Sequence, residues 1–319
     1  MVRMTVLASG SRGNSTVVSS TRTRILVDAG VSCRELFKRM QAAGEDPSTL
    51  NAILVTHEHQ DHVQGLAVTA RKLGIPVYFT ESTHRAWIRW ITPRKRMTYA
   101  EWLAERKQQV AAQAAAPVNP EPLNPDIDDR ESFEEEQETL GCEETKAKAD
   151  PATLPGVEYF TAGQGFSVGD IAVTPFTIPH DAADPVGFVF EAEGVRIGLA
   201  TDLGYMPAHA AMRLRRCDVL MLESNHDLDM LRDGPYPWSV KQRVMSRVGH
   251  LSNHATGEFL ENGYDGQATY VILAHLSESN NLPELARVSA ERALRDRMSL
   301  LGNRVLLATQ DEPMASILL

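Results

Sequence analysis

Short apolar runs alternate with helical patterns along most of the chain. Eleven runs have the length and the β-branched content that are typical of strands: "MTVLAS", "STVVSS", "RILVDAG", "AILVTH", "VYFT", "IAVTPFTIPH", "GFVFEAEG", "VRIGLATD", "VLMLES", "TYVILAH" and "RVLLATQDE". Helical spacing of apolar positions predicts helices over residues 32–43, 61–73, 237–248, 252–262 and 282–301. The stretch "EAEGVR" between two runs is typical of a β-hairpin. The pattern predicts β-sheets covered by helices, an α/β architecture.

One segment departs from this alternation. Residues 111–156 are rich in Pro, Ala and Glu, contain one aromatic residue and show no sustained apolar periodicity. Such a composition cannot bury enough apolar surface to offset the entropy of the chain. We predict a single domain, residues 1–319, interrupted by a flexible acidic insertion at about 111–156. The basic stretch before it, residues 83–110, is predicted to be helical and to extend in part into the insertion.

The net charge of −10 at first argues against a nucleic-acid partner. Its distribution along the chain changes that interpretation. Residues 121–150 carry 12 acidic and 3 basic side chains, a net charge of −9, which leaves −1 for the remainder. The acidity therefore says little about the surface around a functional site.

The same sequence predicts a cytoplasmic protein that does not bind membranes. It has no apolar run of ~18 residues, and "MVRMTVLASGS" enters a strand-like segment without the apolar region of a signal peptide. Its three cysteines, Cys33, Cys142 and Cys217, form no CxxC motif. We expect ordinary thiols in a reducing compartment.

Five apolar runs end on residues of the kind that bind metals. They end on Asp28, on His57 and His59, on His180, on Asp202 and on His275. A single histidine at a strand end is more often a surface or hydrogen-bonded residue. Strand ends, however, can converge on one edge of a sheet, where α/β folds place their sites. The repeated placement therefore predicts a metal site.

The densest group of such residues lies in "VTHEHQDHVQGL", residues 55–66. His57 and His59 are two positions apart, so on an extended backbone they point the same way. Asp61 and His62 follow at the start of a predicted helix and diverge from the first pair. The pattern predicts one ion bound by His57 and His59, and a second bound by Asp61 and His62. Asp202 is suited to bridge the two ions, because a carboxylate has two oxygens.

His180 and His275 are predicted to complete the two ligand sets. Imidazole and carboxylate donors suit zinc or manganese, so we expect two divalent metal ions. Asp28 is predicted to orient a ligand histidine from behind. The alternative for Asp28 is a strand-terminal carboxylate that satisfies a turn.

These residues and their order resemble the metallo-β-lactamase fold superfamily. Its five motifs correspond to Asp28, "HEHQDH", His180, Asp202 and His275. Further stretches, including "LASGSRGNST", "PHDAADPVGF", "ESNHDLDMLRDGPYPWSVKQR", "GHLSN" and "LAHLSESNN", are similar to the YycJ, or WalJ, family over about residues 1–90 and 157–319. The resemblance implies an αββα four-layer sandwich with a dinuclear site on its open edge, and 5′-to-3′ exonuclease activity on DNA. The acidic insertion departs from the usual compact pattern, so no role for it is implied.

Comparison with the related ribonuclease Z family implies further site residues. The element "GHLSN" resembles its His-Ser-Thr element, which implies that His250 and Ser252 lie near the scissile phosphate. Glu223 in "ESNHD" would then hold the tautomer of His250, and His226 would contact the substrate. The alternative for His250 is a histidine at a helix start without a chemical role.

The glycine-containing loop "SGSRGN", residues 9–14, joins the first two predicted strands. Two glycines allow its backbone NH groups to approach an anion, although such loops are usually simple hairpins. Its place beside Asp28 in the superfamily implies that Ser11 or Asn14 contacts a phosphate.

We therefore predict a dinuclear-metal-dependent phosphodiesterase that degrades DNA from the 5′ end. Asp61 would bind a metal and orient the attacking water, while His250 would stabilise charge or protonate the leaving oxygen. Three alternatives stay open at this point. They are a ribonuclease or tRNA-processing enzyme, a hydrolase of small substrates such as a thioester, lactam or cyclic phosphate, and a metal-binding regulatory protein without catalysis.

Overall fold

The computed structural model describes residues 1–92, 103, 106–107, 152–294 and 304–319. Contacts divide the chain into a main unit, residues 1–91 and 151–319, and a second unit, residues 92–150. The predicted insertion at 111–156 lies outside the described residues, except for 152–156. There Leu154 packs, partly buried, against a hydrophobic cluster of the main unit.

The first sheet of the main unit has seven strands. They are β1 (Arg3–Ala8), β2 (Ser15–Ser19), β3 (Arg24–Val27), β4 (Ala52–Leu54), β5 (Val77–Phe79), β6 (Val157–Tyr159) and β14 (Ile317–Leu318). Their order across the sheet is β14-β1-β2-β3-β4-β5-β6. The pairs from β14 to β3 are antiparallel, and those from β3 to β6 are parallel.

The second sheet mirrors this mixed arrangement. Its strands are β7 (Phe166–Val168), β8 (Ile171–Thr177), β9 (Val186–Ala192), β10 (Val195–Ala200), β11 (Val219–Glu223), β12 (Tyr270–Ala274) and β13 (Arg304–Leu307). They lie in the order β13-β12-β11-β10-β9-β8-β7. The strands from β10 to β13 are parallel, and β7 to β10 form an antiparallel meander. The hairpin predicted from "EAEGVR" is the turn between β9 and β10.

Nine α-helices are described. They are α1 (Cys33–Ala42), α2 (Gln60–Val63), α3 (Leu66–Leu73), α4 (Glu81–Ile91), α5 (Ala208–Arg213), α6 (Leu228–Asp233), α7 (Trp238–Val244), α8 (Asn253–Glu258) and α9 (Pro283–Leu294). A 3-10 turn (Pro47–Thr49) and a π-helical turn (Phe259–Gly263) complete the set. None of these helices combines the length and the apolar character needed to cross a bilayer.

Five predicted helices differ from those observed. The stretch 237–248 ends at Val244, and the stretch 83–110 ends as α4 at Ile91, beyond which only residues 92, 103 and 106–107 of it are described. The stretch 61–73 is two helices, because the NH of Gly65 donates to the carbonyl oxygen of Ala29 at 2.8 Å and the Asp61 carbonyl oxygen accepts from Asn14 instead. The stretch 252–262 changes from α-helix to the π-helical turn at Phe259. Of the stretch 282–301, residues 295–301 lie outside the described residues.

Three hydrophobic clusters define four layers. The first lies between the sheets and includes Val18, Ile25, Phe188 and Ile197. Another packs α1, α3 and α4 on the first sheet, through residues such as Leu36. The remaining cluster packs the second sheet against α5, α8 and α9. The predicted αββα sandwich is confirmed.

Two of the three cysteines lie within the described residues, and both are free thiols. Cys33 and Cys217 are buried free thiols, and burial raises the pKa of the Cys217 thiol to about 11. Cys142 lies outside the described residues.

Candidate metal centre

Parallel pairing brings the predicted site residues together at the carboxyl ends of the strands. Asp28 and His57 follow the neighbouring parallel strands β3 and β4. Asp202, Glu223 and His275 stand at the ends of β10, β11 and β12, which are also parallel. Because parallel neighbours end on the same edge of a sheet, the order of the strands gathers the side chains within each sheet, and contacts such as that of His62 Nε2 with Asp202 Oδ2 at 3.3 Å join the two sets.

The backbone is strained where three of these residues leave their strands. Five described non-glycine residues have positive φ, and Asp28 (59°), Asp202 (61°) and His275 (55°) are among them. The left-handed region is sparsely populated by residues with a Cβ. Such strain persists only where the surroundings hold it, and it is concentrated at functional sites.

The first ligand cluster contains His57, His59 and His180. One ring nitrogen of each lies within 4.8 Å of the others. The ring centroids of His57 and His59 are 4.6 Å apart, and His180 lies 5.0 and 4.9 Å from them. His180 Nδ1 donates to the carbonyl oxygen of Val248 at 3.1 Å, so its Nε2 is the acceptor nitrogen, and this Nε2 faces His59 Nδ1 at 3.2 Å. Burial lowers the pKa of His57 well below its ordinary value and also lowers the pKa of His180, so both rings favour the neutral form that binds metals.

The second cluster contains Asp61, His62, Asp202 and His275. His62 Nε2 lies 3.3 Å from Asp202 Oδ2 and 3.5 Å from Asp61 Oδ2. His275 Nε2 lies 3.5 Å from the same Asp61 oxygen. Burial acts to raise the pKa of Asp202, but the imidazoles of His275 and His62 outweigh it and hold the pKa well below its ordinary value. The carboxylates are therefore ionised and available as ligands.

The donors of both clusters fit divalent cations. His57 Nε2, Asp202 Oδ2 and His275 Nε2 are buried and make no hydrogen bond within the part of the chain that the structure describes. Buried polar atoms normally have a partner, so unpartnered nitrogen and oxygen atoms that converge in this way indicate a bound group. Imidazole and carboxylate donors are those that zinc and manganese prefer.

Asp28 lies behind His62, as its predicted role requires. Its Oδ2 accepts hydrogen bonds from His62 Nδ1 and from Thr56 Oγ1, both at 2.8 Å. Its Oδ1 accepts from the backbone NH of Thr56, also at 2.8 Å. These bonds fix the tautomer of His62 and direct its Nε2 toward Asp61 and Asp202.

Glu223 connects the last predicted ligand to the predicted proton donor. Its Oε1 accepts from His275 Nδ1 and from His250 Nδ1, both at 2.8 Å. Its Oε2 accepts from the backbone NH groups of Leu203 and Leu251 at 2.9 and 3.1 Å. Burial acts to raise the pKa of Glu223. The charge of His250 and the hydrogen bonds from His250 and His275 outweigh burial and lower the pKa of Glu223 to about 2. The bond to His275 was not predicted from the sequence.

The strained backbone of His275 is held on both sides. Its NH donates to Ser9 Oγ at 2.8 Å, and its carbonyl oxygen accepts from Asn225 Nδ2 at 2.8 Å. Sequence reasoning missed both partners. The only local signal was the position of Asn225 between Glu223 and His226 in "ESNHD".

Asn14, which the resemblance placed near a phosphate, contacts the ligand residues themselves. Its Nδ2 lies 3.2 Å from Asp61 Oδ2 and 3.1 Å from His62 Nε2, and its backbone NH donates to the Asp61 carbonyl oxygen at 2.7 Å. The loop approaches so closely because residue 30 is glycine: a Cβ on Gly30 would lie 1.7 Å from that same carbonyl oxygen. Ser11 is exposed on the loop.

His226 and Ser252 lie next to each other, joined by a β-bridge. His226 is 1% exposed, and burial lowers its pKa to about 4. Ser252 caps α8, because its Oγ accepts from the backbone NH of Ala255 at 3.1 Å. Substrate contact by these two residues, and by Ser11 and Asn14, stays a prediction.

Comparisons with known proteins agree with this geometry. Residues 8–240 match the family model described as the metallo-beta-lactamase superfamily. The exodeoxyribonuclease YycJ of Bacillus anthracis is 31% identical over 296 residues, which cover 93% of this chain and 90% of that protein. The exodeoxyribonuclease WalJ of Streptococcus pneumoniae is 30% identical over 287 residues, which cover 90% and 86%. A crystal structure of the metallo-beta-lactamase fold protein YhfI from Bacillus subtilis is similar to this chain, with a TM-score of 0.60 at 13% identity. The match covers 98% of this chain and 99% of that one, and it supports the fold.

Proposed function

The chain belongs to the metallo-beta-lactamase superfamily, and within it to the YycJ/WalJ family, and from this premise we propose that it is a dinuclear-metal-dependent phosphodiesterase that degrades DNA in the 5′-to-3′ direction. Membership makes it a metal-dependent hydrolase. The observation that carries the finer proposal is the pair of adjacent ligand clusters, in a chain aligned over nine-tenths of its length with relatives named exodeoxyribonucleases. The substrate is a nucleic acid, and we propose DNA.

Two zinc or manganese ions would be held by the two clusters. His57, His59 and His180 would hold one ion, Asp61, His62 and His275 would hold the other, and Asp202 would bridge them. When bound, the two cations supply Lewis acidity that stabilises negative charge on the phosphate and lowers the pKa of a water molecule. Asp28 and Glu223 orient His62 and His275 from behind.

Asp61 is the ligand that is best placed to act on water as well. Its side chain is 22% exposed, whereas those of His62, Asp202 and His275 are 0%, 2% and 4% exposed. Its pKa is well below the ordinary value, because the neighbouring His62 and His275 outweigh the effect of burial. An ionised, partly accessible carboxylate can accept a hydrogen bond from the attacking water and orient it.

His250 is placed to donate a proton. Its side chain is 22% exposed, and its Nδ1 donates to Glu223 Oε1, so the opposite nitrogen, Nε2, is free for the substrate. Burial acts to lower the pKa of His250, but the Glu223 carboxylate outweighs it and raises the pKa above its ordinary value. A protonated Nε2 could stabilise charge on the phosphate or protonate the leaving oxygen.

End-specific digestion tests this proposal. A 5′-phosphorylated duplex labelled internally is incubated with metal-loaded protein, and matched duplexes carry phosphorothioate linkages at only the 5′ or only the 3′ ends. We expect mononucleotide release that is blocked by protection of the 5′ ends and abolished in Asp61→Asn. Release that is blocked by protection of the 3′ ends and not of the 5′ ends would reverse the polarity, and equal blocking by both would contradict digestion from one end. Faster cleavage of RNA of the same sequence, of bis-p-nitrophenyl phosphate or of a thioester would overturn the DNA assignment.

A further inference from the structure

Exposed apolar side chains are concentrated in a stretch whose end contacts the candidate metal centre. Fifteen large hydrophobic side chains are exposed among the described residues, and five of these belong to residue 205 or to the stretch 238–248: Tyr205, Trp238, Val240, Met245 and Val248. Scattered exposed hydrophobic residues need no explanation, but a group at one place is typical of a binding surface.

This stretch is attached directly to the ligand-bearing loops. Val248 accepts hydrogen bonds at its carbonyl oxygen from His180 Nδ1 and from the NH of Asp181, both at 3.1 Å. On the other side, a Cβ on Gly204 would lie 2.3 Å from the Arg247 carbonyl carbon, so only glycine permits this approach. The stretch is therefore fixed in position relative to the predicted metal ligands.

Two arginines accompany the apolar side chains. The guanidinium of Arg247 lies over the ring of Tyr205, 4.4 Å from its centroid, and the Tyr205 side chain is still 37% exposed. Arg243 Nε donates to Asp181 Oδ2 at 2.5 Å, and its side chain is 67% exposed. Tyr205 is three residues from Asp202, and Arg247 is three residues from His250. Positive charge and an open aromatic ring thus lie together at the rim of the site.

We propose that this surface, the Tyr205 platform (Tyr205, Arg243 and Arg247), binds a single-stranded segment of the nucleic-acid substrate; the proposal rests on the proposed function. One base stacks on the open part of the Tyr205 ring, and the guanidinium groups meet the flanking phosphates. An aromatic ring accepts a base only when that base is not stacked within a duplex, which selects an unpaired strand. Base stacking on aromatic rings combined with arginine contacts to the backbone is how proteins bind single strands without sequence preference.

The charge at this surface favours a nucleic acid over a protein partner. A protein interface core is usually depleted in charge around its aromatic residues, although arginine itself is common there. Here the exposed Arg247 lies over the one aromatic ring, and the exposed Arg243 pairs with Asp181 beside the predicted ligand His180. Binding of a second copy of the chain at this surface would contradict this choice.

Binding is measured by fluorescence anisotropy with a labelled single-stranded oligodeoxynucleotide. Every variant is made in the Asp61→Asn background to prevent digestion. Tyr205→Ala should weaken binding by about tenfold, and Tyr205→Phe should restore most of the loss because the ring is retained. Arg243→Gln and Arg247→Gln should each reduce the slope of log affinity against log salt by about 0.7. The matched control is Arg287→Gln, at an exposed arginine on the outer helix α9. It should change neither the affinity nor the salt slope by as much.

The possible outcomes separate the two proposals. If wild-type protein digests DNA but Tyr205→Ala binds the oligonucleotide as tightly as its parent, the platform is wrong and the proposed function stands. If the parent protein binds no oligonucleotide and the wild type digests none, both fail. Light scattering provides a further check: a dimer that becomes a monomer in Tyr205→Ala or Arg247→Gln would make the surface a subunit interface. Metal content equal to that of the parent shows that a variant has kept its fold.

Discussion

At the scale of single residues, His275 shows how much of the candidate site depends on side chains outside the two clusters of metal-type residues. Its left-handed backbone is held by Ser9 and Asn225, and its ring is held by Glu223. The metal-type residues themselves were predictable, because ligand chemistry shows in the sequence as clustered His and Asp at strand ends. Their supports were not predictable: Ser9 is 266 positions away from His275 and Asn225 is 50 positions away, and only the fold brings them together.

Asn225→Ala should weaken metal binding although Asn225 is not a ligand. Removing its amide leaves the His275 carbonyl without its partner and relaxes the strained turn. Changes to such supporting residues typically cost about 10–100-fold in metal affinity. Competition with a chromogenic chelator measures the affinity, and Asn262→Ala, at an exposed asparagine in the π-helical turn, is the matched control. An affinity equal to that of the control would show that Ser9 and Glu223 suffice.

His250→Ala and His275→Ala should have different effects. Both rings contact Glu223 and both belong to a group of metal-type residues that includes Asp202, yet only His275 also lies in the cluster with Asp61 and His62. We expect His250→Ala to keep its metal while cleavage slows by about 10²-fold or more, as is typical for loss of a general acid. His275→Ala should lose metal. Elemental analysis beside rate measurements decides the point, and loss of metal from His250→Ala would mean that the last ligand has been misassigned.

Glu223→Gln should shift the pH dependence of cleavage. The carboxylate raises the pKa of His250, so the protonated form required of a donor is lost as pH rises through that raised pKa. Without the charge the pKa of His250 falls, and the alkaline limb of the rate profile should move to lower pH. The profile of Glu258→Gln, at an exposed glutamate on α8, serves as the reference. An alkaline limb at the same pH in both variants would show that Glu223 does not set the pKa of His250.

At the scale of elements, strands with an apolar run of their own were predictable and three strands at sheet edges were not. All eleven predicted runs contain a strand, including the three-residue β4 and β5, whereas the edge strands β6, β7 and β14 were missed. Their pairing depends on neighbours in the sheet and not on a run of their own. The short helices α5 and α6 were also missed, since six residues are too few to show a helical period.

Gly30→Ala should damage the loop contact that supports Asp61. The added Cβ would lie 1.7 Å from the Asp61 carbonyl oxygen, a backbone atom that cannot move without moving the ligand. Overpacking of this kind typically costs about 1–3 kcal/mol, and we expect a lower Tm together with weaker metal binding. At Gly156 the nearest atom to an added Cβ, Pro76 Cβ, is 3.4 Å away, so Gly156→Ala is the control. Equal Tm values for the two variants would mean that the loop adapts.

At the scale of the whole molecule, two mixed seven-stranded sheets meet so that strands from both end beside one another. The first sheet contributes Asp28 and the histidines of "HEHQDH", and the second contributes His180, Asp202, Glu223 and His275. Neither half alone holds the complete ligand set that we propose for the second ion. The site therefore requires the sandwich to form, and metal binding should stabilise the folded chain by mass action.

The most direct test of the central claim, a two-cation centre that hydrolyses DNA, is a titration of metal-free protein with Mn²⁺ or Zn²⁺. Bound metal is counted by mass spectrometry, and release of nucleotides from 5′-phosphorylated duplex DNA is followed in the same samples. The account predicts that activity rises with bound metal and reaches its plateau at about two cations per chain. Full nuclease activity in protein that holds no metal, or saturation with two cations and no cleavage of any phosphodiester, would contradict it.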